Sequence, residues 1–362
     1  SLGEASVVRL VGAMSEARGV GEAPASVSWA QIEEDDPVSQ KRDAQAIYIC
    51  KQLLPAWEAG QTCVVKQISG GITNMLLSVE NQQLAKTRED QTVLVRIYGN
   101  NTDVMIDREK ELTILAGLHK LGFGFKVFAT FANGRVEQCL AARSLELGEV
   151  LSPPFASQIP QRLCEFNSLL LDGVSREPDI WPRLRGWLTL AEKIAHSDES
   201  RYAAVDLCAV GEEISEMERV CSRLCPAVVL CHYDLLNGNI MTPEDEGGQL
   251  NFIDFEYSSY GYQGYDIGNF WNECAGFDCD WATYPTADQQ RRFVEDYLEG
   301  QGSPEVRGVE AGRLLALSQY FSLVSHLHWL PWSFIQAQYS SIDFDYVEYA
   351  GKRWQRYLAT KE

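Results

Sequence analysis

The spacing of apolar residues changes along the chain and predicts two regions of different architecture. Before residue 141 the apolar positions alternate or form short blocks, as in VLVRIY at 93–98, which is typical of β-strands. The strands predicted there are two within 62–79 around a glycine turn, then 93–98, 127–131 and 135–140. Helices are predicted over 43–57 and 107–121. From residue 141 the spacing is mainly helical, so we expect an α+β protein with a small antiparallel-sheet lobe and a mainly helical lobe.

Three segments follow from this pattern. Residues 1–40 mix Gly, Ala, Ser and acidic residues with weak periodicity, which predicts a partly ordered N-terminal extension. Residues 41–140 form the predicted N-lobe and residues 141–362 the predicted C-lobe. Two lobes are expected because 362 residues exceed what one ordinary hydrophobic core organises.

Composition narrows the classes of function. Hydrophobic residues at 45% and charged residues at 23% are typical of a soluble globular protein. Because no apolar run approaches the roughly 20 residues that span a bilayer, and the start does not resemble a signal peptide, we expect a cytoplasmic protein without stable membrane insertion. The net charge of −20 disfavours nucleic acids and anionic membranes and favours a cationic substrate.

The ten cysteines are scattered and contain no C-x-x-C pair. The five histidines show no zinc-binding spacing either. We therefore expect free, buried thiols in a reducing cytosol.

The segment CHYDLLNGN at 231–239, followed by IDFE at 253–256, has the spacing of a phosphotransferase catalytic loop with its metal motif. Asp234 is placed to receive a proton from a substrate hydroxyl, and Asn239 and Asp254 are placed to hold Mg²⁺. Strands are predicted at 228–231, 239–242 and 250–254, with a turn at 243–248. An isolated H-x-D would more often be a plain turn, but the ordered series favours the catalytic interpretation.

Two positions separate this loop from that of the protein kinases. Tyr233 stands where those enzymes carry Arg, and Glu256 where they carry Gly. This predicts a kinase that acts on a small molecule.

The small lobe contains a candidate grip for phosphates. The glycine pair in 69–74 would let backbone amides approach phosphate groups, although such a pair is more often a hairpin turn. Arg96 on the third strand would hold the phosphates, oriented by Glu109 or Glu111 of the next helix. The alternative is an arginine on the surface of an edge strand.

Aromatic residues follow the metal motif and recur near the C-terminus. Trp329 and Trp332 are three residues apart and would share one face of a helix. Several aromatic rings with a carboxylate would form a cage for an ammonium group. The alternative is an aromatic stripe of the core.

From about residue 43 to its end the chain resembles the choline/ethanolamine kinases. The blocks that carry this resemblance are ISGGITNML at 68–76, VLVRIYG at 93–99, GRVEQ at 134–138, HYDLLNGN at 232–239, IDFEYSSY at 253–260, YDIGN at 265–269, WLPWSFIQA at 329–337 and SSIDFDY at 340–346. The resemblance implies a two-lobed protein-kinase-like fold. It also implies a homodimer that uses ATP and Mg²⁺ in the first step of the CDP-ethanolamine or CDP-choline route.

The resemblance also implies roles for individual residues. Asp234 would be the catalytic base, with Asn239 and Asp254 as Mg²⁺ ligands. The residues implied in ATP binding are Ser69, Gly70, Gly71, Ile72, Thr73, Asn74, Met75, Arg96 and Asp254, with the backbone of a hinge at Glu137, Gln138, Cys139, Leu140, Ala141, Ala142 and Arg143. The residues implied in ammonium binding are Tyr257, Glu273, Trp329, Trp332, Phe344 and Tyr349. His232, Glu111 and Asp266 would be structural supports.

The sequence contains segments typical of ethanolamine kinases and others typical of choline kinases. VRIYGNNT at 95–102 and NECAGF at 272–277 resemble ethanolamine kinases, whereas GRVEQ and FEYSSY resemble choline kinases. A primary ammonium donates hydrogen bonds to carboxylates, and a quaternary one binds aromatic faces. We expect ethanolamine to be preferred, with choline as the alternative. Two further alternatives are an aminoglycoside-type kinase, against which the tryptophan pair and Glu273 argue, and a pseudokinase scaffold, against which Asp234, Asn239 and Asp254 argue.

Overall fold

A computed structural model describes residues 37–68, 74–99, 101–244, 248–299, 304–340 and 342–361. The chain divides into two compact units after Ala141. Each unit is described by itself below.

The N-terminal unit contains a five-stranded antiparallel sheet in the order β1-β2-β3-β5-β4. Its elements are α1 (Pro37–Leu53), β1 (Cys63–Ile68), β2 (Asn74–Asn81), β3 (Thr92–Tyr98), α2 (Arg108–Lys120), β4 (Val127–Phe131) and β5 (Gly134–Gln138), with a short 3₁₀ turn at Thr102–Val104. Val93, Val95 and Ile97 of β3 are fully buried, as the alternation of apolar residues predicts. They form one core with the apolar face of α1.

Two local features fix the geometry of this unit. Asp107 caps α2 by accepting a hydrogen bond from the Lys110 amide at 3.0 Å, which satisfies a donor of the first helical turn. Gly134 opens β5 because a Cβ there would lie 2.2 Å from the Arg96 carbonyl oxygen. The backbone of Arg96 therefore lies against a position that only glycine can occupy.

The C-terminal unit is mainly helical. Its helices are α3 (Phe155–Asn167), α4 (Ile180–Ser197), α5 (Glu199–Tyr202), α6 (Leu207–Leu224), α7 (Tyr265–Glu273), α8 (Ala287–Tyr297), α9 (Pro304–Tyr339) and α10 (Tyr346–Thr360). Its strands are β6 (Ala142–Ser144), β7 (Val228–Cys231), β8 (Ile240–Pro243), β9 (Asn251–Phe252) and β10 (Ser259–Tyr262), with 3₁₀ turns at Asn237–Asn239, Phe255–Tyr257 and Trp281–Thr283. Strands β6, β8 and β9 form one small sheet and β7 pairs with β10.

Helix α9 is the centre of this unit and packs against α10, α7 and α4. The contact with α7 is close because a Cβ at Gly268 would lie 2.4 Å from the Ser318 carbonyl oxygen. Helices α7, α9 and α10 carry four of the six residues that the sequence assigns to ammonium binding, namely Glu273, Trp329, Trp332 and Tyr349. Their packing therefore decides whether those residues meet.

The α+β organisation and the order of its parts are confirmed, but several boundaries were wrong. The helix predicted over 43–57 begins at Pro37 and ends at Leu53, since Pro55 cannot continue it. The strand predicted at 239–242 begins at Ile240, after a 3₁₀ turn. The strand predicted at 250–254 is Asn251–Phe252, because Asp254 has a positive φ of 64° and β-structure needs a negative one.

The composition led to expectations about the cysteines and about membrane-spanning segments. All ten cysteines are free, but the predicted burial holds for five, namely Cys50, Cys221, Cys231, Cys274 and Cys279. Among the described residues, no helix is both long enough and apolar enough to cross a membrane. The predicted extension at 1–40 lies outside the described residues except for its last four, which begin α1.

Candidate active site

The carboxylate of Asp266 fixes the backbone of the loop between β7 and β8. The backbone amides of His232 and Tyr233 each donate to Asp266 at 2.9 Å. The side-chain amide of Asn167 also donates to Asp266, at 3.0 Å, and accepts from the Tyr297 hydroxyl at 2.9 Å. Burial raises the pKa of Asp266 to about 6, although these donors act to lower it. Asp266, in the first turn of α7, thus fixes the loop through its backbone.

Tyr233 gives the loop its shape. It has a φ of 69°, a conformation that non-glycine residues adopt rarely, and its ring is fully buried. The guanidinium of Arg183 lies 4.6 Å from the ring centre. A Cβ at position 261 would lie 2.1 Å from the Tyr233 hydroxyl, so Gly261 is required. Sequence reasoning noticed Tyr233 but missed Arg183 and Gly261.

His232 joins the loop to the segment that carries Asp254. Its Nε2 lies 2.9 Å from the Ile253 carbonyl oxygen, and its Nδ1 accepts from the Asp234 amide at 3.3 Å. Burial lowers the pKa of His232 to about 4, so the ring is neutral near pH 7 and donates from Nε2. Through these contacts His232 acts as a structural support and holds residues 232–234 of the loop close to residues 253–254.

Asp234 and Asn239 are in direct contact at the surface of this loop. The Asn239 amide nitrogen donates to the Asp234 carbonyl oxygen at 2.8 Å and to its carboxylate at 3.1 Å. Asp234 is half-buried. Burial raises the pKa of its carboxyl well above the usual value, and the negative charges of Glu273, Asp254 and Glu256 raise it further. Three further carboxylates therefore act electrostatically on the predicted base.

The oxygen donors at this position suit a hard divalent cation. Among the described residues, no three His, Cys, Asp or Glu side chains are grouped so that they could hold a metal. Asn239 and Asp254 instead offer one amide and one carboxylate group, a set that Mg²⁺ completes with phosphate oxygens and water. The positive φ of Asp254 is of the kind found where a side chain is aimed for function.

Aromatic residues that the sequence assigns to ammonium binding pack against one another near Asp234. The ring centres of Tyr257 and Trp329 lie 5.7 Å apart at 87°, and those of Trp329 and Trp332 lie 5.2 Å apart at 88°. The Trp332 indole donates to the Tyr257 hydroxyl at 2.9 Å. Rings at right angles present faces in different directions, as the walls of an ammonium cage do. The charge of Asp234 acts on the pKa of Tyr257, which places these rings near the predicted base.

The other predicted pocket residues meet around a buried arginine. Arg353 on α10 donates to Glu273 at 3.0 Å and to the Tyr349 hydroxyl at 3.2 Å. Phe344 is half-buried, with its ring centre 5.8 Å from that of Tyr349. Sequence reasoning missed Arg353, although it lies four residues after Tyr349 and therefore on the same helical face.

In the N-terminal unit, the predicted phosphate-binding arginine belongs to a buried charge cluster. Arg96 donates to Glu137 at 3.2 Å, and Arg135 contacts Glu137 at 2.6 Å and Glu111 at 2.7 Å. Arg108 contacts the other oxygen of Glu111 at 2.8 Å. Burial alone would raise the pKa of both glutamates, but the arginines outweigh it and lower their pKa.

This cluster distinguishes the two glutamates that were expected to orient Arg96, since the charge of Arg96 acts on the pKa of Glu111. Glu109 is exposed and Glu111 is buried, so Glu111 is the inward-facing residue of that pair. Its described ion pairs are with Arg135 and Arg108, whereas the described ion pair of Arg96 is with Glu137. Arg135 stands in the GRVEQ block, yet sequence reasoning gave it no role.

The first two residues of the predicted adenine hinge, Glu137 and Gln138, belong to strand β5. Glu137 is paired with both neighbouring strands, and the Gln138 amide donates to the Lys126 carbonyl oxygen at 2.8 Å. The backbone of these two residues is thus engaged within the sheet. Cys139, Leu140, Ala141, Ala142 and Arg143 follow it, and Arg143 forms an exposed ion pair with Glu149 at 2.8 Å.

The predicted phosphate loop is described only at its end. Ser69, Gly70, Gly71, Ile72 and Thr73 lie outside the described residues. Asn74 accepts a hydrogen bond from Arg108 at 3.3 Å, and Met75 is buried in the core of the unit. Asn74 thereby links the end of this loop to the charge cluster.

Comparison with known proteins shows similarity to choline and ethanolamine kinases in both sequence and structure. A family model described as choline/ethanolamine kinase matches residues 65–358. A "probable ethanolamine kinase" of Arabidopsis thaliana is 36% identical over 320 residues, which cover 87% of this chain and 84% of that protein. Ethanolamine kinase 1 of Homo sapiens is 33% identical over 328 residues, which cover 87% and 71%. The solved structure of a Plasmodium vivax ethanolamine kinase, 26% identical, superposes over 91% of each chain with a TM-score of 0.78.

Proposed function

The chain belongs to the choline/ethanolamine kinase family, and from this premise we propose that it transfers the terminal phosphoryl group of ATP to the hydroxyl of ethanolamine, choline or both. The reaction uses Mg²⁺ and forms phosphoethanolamine or phosphocholine. This is the first step of the CDP-ethanolamine or CDP-choline route to phospholipids. We further propose a cytoplasmic homodimer, as the family resemblance implies.

The observation that carries this proposal is the cluster around Asp234. The Asn239 amide lies 3.1 Å from the Asp234 carboxylate, and the charges of Asp254 and Glu273 both raise the pKa of that carboxyl. The predicted base, the predicted metal ligands and the predicted ammonium carboxylate therefore act on one another. A small molecule with a hydroxyl at one end and an ammonium at the other fits such a set.

Asp234 is the group proposed to touch the reacting hydroxyl. Its carboxylate would accept a hydrogen bond from the hydroxyl and take the proton as the oxygen attacks phosphorus. The Asn239 amide holds this carboxylate in place through its bond to Oδ2. The like charges around Asp234 make it a better proton acceptor than an exposed aspartate.

Asn239 and Asp254 would hold Mg²⁺ beside this base. A magnesium ion held by these two residues would offset the negative charge of the ATP phosphates. Asn239 directs its nitrogen to Asp234, so the oxygen of the same amide points away from that residue. This oxygen and the Asp254 carboxylate are ligands that Mg²⁺ prefers.

ATP would be bound by three parts of the chain. Residues 69–75 would cover the phosphates, Arg96 would contact them, and backbone groups within the hinge at 137–143 would meet the adenine. The buried contact between Arg96 and Glu137 supports this, because it fixes the guanidinium before ATP binds and reduces the entropy lost on binding.

Ethanolamine is proposed as the preferred acceptor. Glu273 lies near Asp234 and supplies an acceptor for the N–H groups of a primary ammonium. The two named relatives and the solved structure are ethanolamine kinases by name. The perpendicular rings of Tyr257, Trp329 and Trp332 favour choline as a second substrate.

Release of ADP, coupled to a spectrophotometric assay, tests the proposal with ethanolamine, choline and an aminoglycoside in parallel. We expect turnover of ethanolamine and choline, a lower KM for ethanolamine, and none of the aminoglycoside. Asp234→Ala is expected to reduce kcat about 10³-fold, whereas Asp288→Ala, which changes an exposed residue of α8, keeps it. ATP binding without turnover of any acceptor would favour the pseudokinase alternative.

A further inference from the structure

A continuous chain of buried hydrogen bonds connects the two sides of the proposed ammonium pocket. Arg353 donates to Glu273 at 3.0 Å and, from its other terminal nitrogen, to the Ser325 hydroxyl at 2.9 Å. Ser325 donates to the Asn269 oxygen at 2.8 Å, and the Trp329 indole donates to the same oxygen at 2.8 Å. The carboxylate side and the tryptophan side thus share one network, with Arg353 at its branch.

Arg353 is a costly residue to bury. It is 1% exposed, and an arginine removed from water must recover its lost hydration from local partners. Its Nε is buried with no hydrogen-bond partner among the described residues. An apolar residue of similar length would avoid this cost, so the position favours a role beyond stability.

The two ends of the network depend on Arg353 to different degrees. Glu273 contacts it directly and is only 7% exposed. Burial raises the pKa of Glu273, and Arg353 opposes that rise. Trp329, in contrast, is anchored directly by Asn269, and Arg353 is connected to it only through Ser325 and Asn269. Loss of the guanidinium would therefore affect the carboxylate first and the aromatic wall second.

Arg353 also acts on one of the aromatic residues assigned to the pocket. Its guanidinium lies 5.6 Å from the centre of the Tyr349 ring and donates to the hydroxyl of that residue. A cation of the protein itself therefore already engages Tyr349. A quaternary ammonium would rely on the wall formed by Tyr257, Trp329 and Trp332.

We propose that Arg353 is a positioning residue that sets the choice between headgroups, because it fixes the Glu273 carboxylate as an acceptor for a primary ammonium. This inference rests on the proposed function. The described contact uses Oε1 of Glu273, and a carboxylate has a second oxygen that can accept hydrogen bonds. Ethanolamine needs such an acceptor, whereas choline has no N–H to donate and depends on the aromatic wall.

Steady-state kinetics of Arg353→Met with both amino alcohols test the proposal. We expect the KM for ethanolamine to rise about tenfold or more and the KM for choline to rise less than threefold. The KM for ATP should stay unchanged. Arg353→Lys, which keeps the charge but not the forked geometry, should restore part of the ethanolamine preference.

The matched control is Arg356→Met, on the same helix. Arg356 lies over the rings of Trp281 and Tyr284, at 5.0 and 5.3 Å, away from the network, and its loss should leave the ratio of the two KM values unchanged. An equal rise of KM for ethanolamine and choline in Arg353→Met, or a KM for ethanolamine within twofold of the wild-type value, would overturn the proposal.

Two further measurements keep the test decisive. If Arg353→Met does not fold, Ser325→Ala and Tyr349→Phe each remove one contact of Arg353 and should shift the KM ratio in the same direction, about threefold. An unchanged ratio in both variants would refute the role of Arg353. If the wild-type protein turns over neither amino alcohol, the proposed function itself is wrong. If the wild-type protein is active but its substrate preference does not change in the Arg353 variants, only the role of Arg353 is wrong.

Discussion

Two clusters of charged side chains, one in each unit of this protein, are built in opposite ways. In the N-terminal unit, Arg96 and Arg135 contact Glu111 and Glu137 at 2.6 to 3.2 Å, so each buried charge meets one of opposite sign. In the C-terminal unit, the carboxyl of Asp234 is surrounded by further carboxylates, and their charges raise its pKa. The same residue types therefore give one neutralised cluster and one acidic cluster.

The direction of the pKa shifts shows what each cluster does. Glu111 and Glu137 have a lowered pKa despite burial, because the arginines outweigh the loss of hydration. The protein's own arginines pair with both buried glutamates there, so the cluster holds Arg96 in place before any ligand binds. Burial and repulsion act together on Asp234, so this site gains free energy when a cation arrives. The proposed Mg²⁺ and the ammonium group supply that charge.

The largest expected effect tests the neutralised cluster. Arg135→Met leaves Glu111 and Glu137 buried without one of their partners and should lower the free energy of unfolding by about 3–5 kcal/mol. Arg88→Met is the matched control, because Arg88 pairs with Asp90 at 2.8 Å with 46% of its side chain exposed, and exposed pairs contribute about 0–1 kcal/mol. Chemical denaturation measures both. Equal losses in the two variants would contradict the contrast between the units.

The next effect concerns His232, a buried titratable group of the C-terminal unit that contacts a backbone carbonyl. Its pKa falls from 6.5 to about 4 on burial, so between these values the unfolded chain binds a proton that the folded chain does not. Stability is therefore lost as pH falls through this window, by about 3 kcal/mol in total.

His232→Gln provides the comparison for this pH effect, because glutamine can still donate to the Ile253 carbonyl. Denaturation at pH 7 and pH 4 should show the wild-type protein losing about 3 kcal/mol relative to the variant. The raised pKa of Asp266 has the opposite pH dependence, since the folded state then binds the extra proton, but it is present in both proteins and cancels in the difference. A constant difference between pH 7 and pH 4 would refute the neutral buried histidine.

The smallest expected effect concerns the repulsion between Asp234 and the carboxylates that act on it. Asp234→Asn removes one of the mutually repelling carboxylates and keeps an oxygen for the Asn239 amide, so it should raise the free energy of unfolding by about 1 kcal/mol without Mg²⁺. Glu137→Gln, a matched change in the neutralised cluster, should lower it. Thermal unfolding with a chelator and then with Mg²⁺ measures both, and the metal should stabilise the wild-type protein more than Asp234→Asn. A loss of stability in Asp234→Asn would oppose this account.

The sequence predicted those parts of the fold that depend on local spacing. The strand VLVRIY and the helix after Asp107 lie where alternation and capping placed them. Boundaries near the site were wrong where a residue departs from regular geometry, as Asp254 does with its positive φ. The need for Gly261 escaped notice, because it arises from the Tyr233 hydroxyl, a contact across 28 residues of chain.

Sequence by itself determined the family, the order of the elements and the residue types available for phosphoryl transfer, because motif spacing and apolar periodicity are local properties. Tertiary structure decided which charges meet. Arg353 and Glu273 are 80 residues apart, and Arg96 and Glu137 are 41 apart. Neither contact is encoded in any short pattern. Burial gives these contacts their strength, since charges interact strongly only where water is removed, and burial is a property of the packed units rather than of the chain.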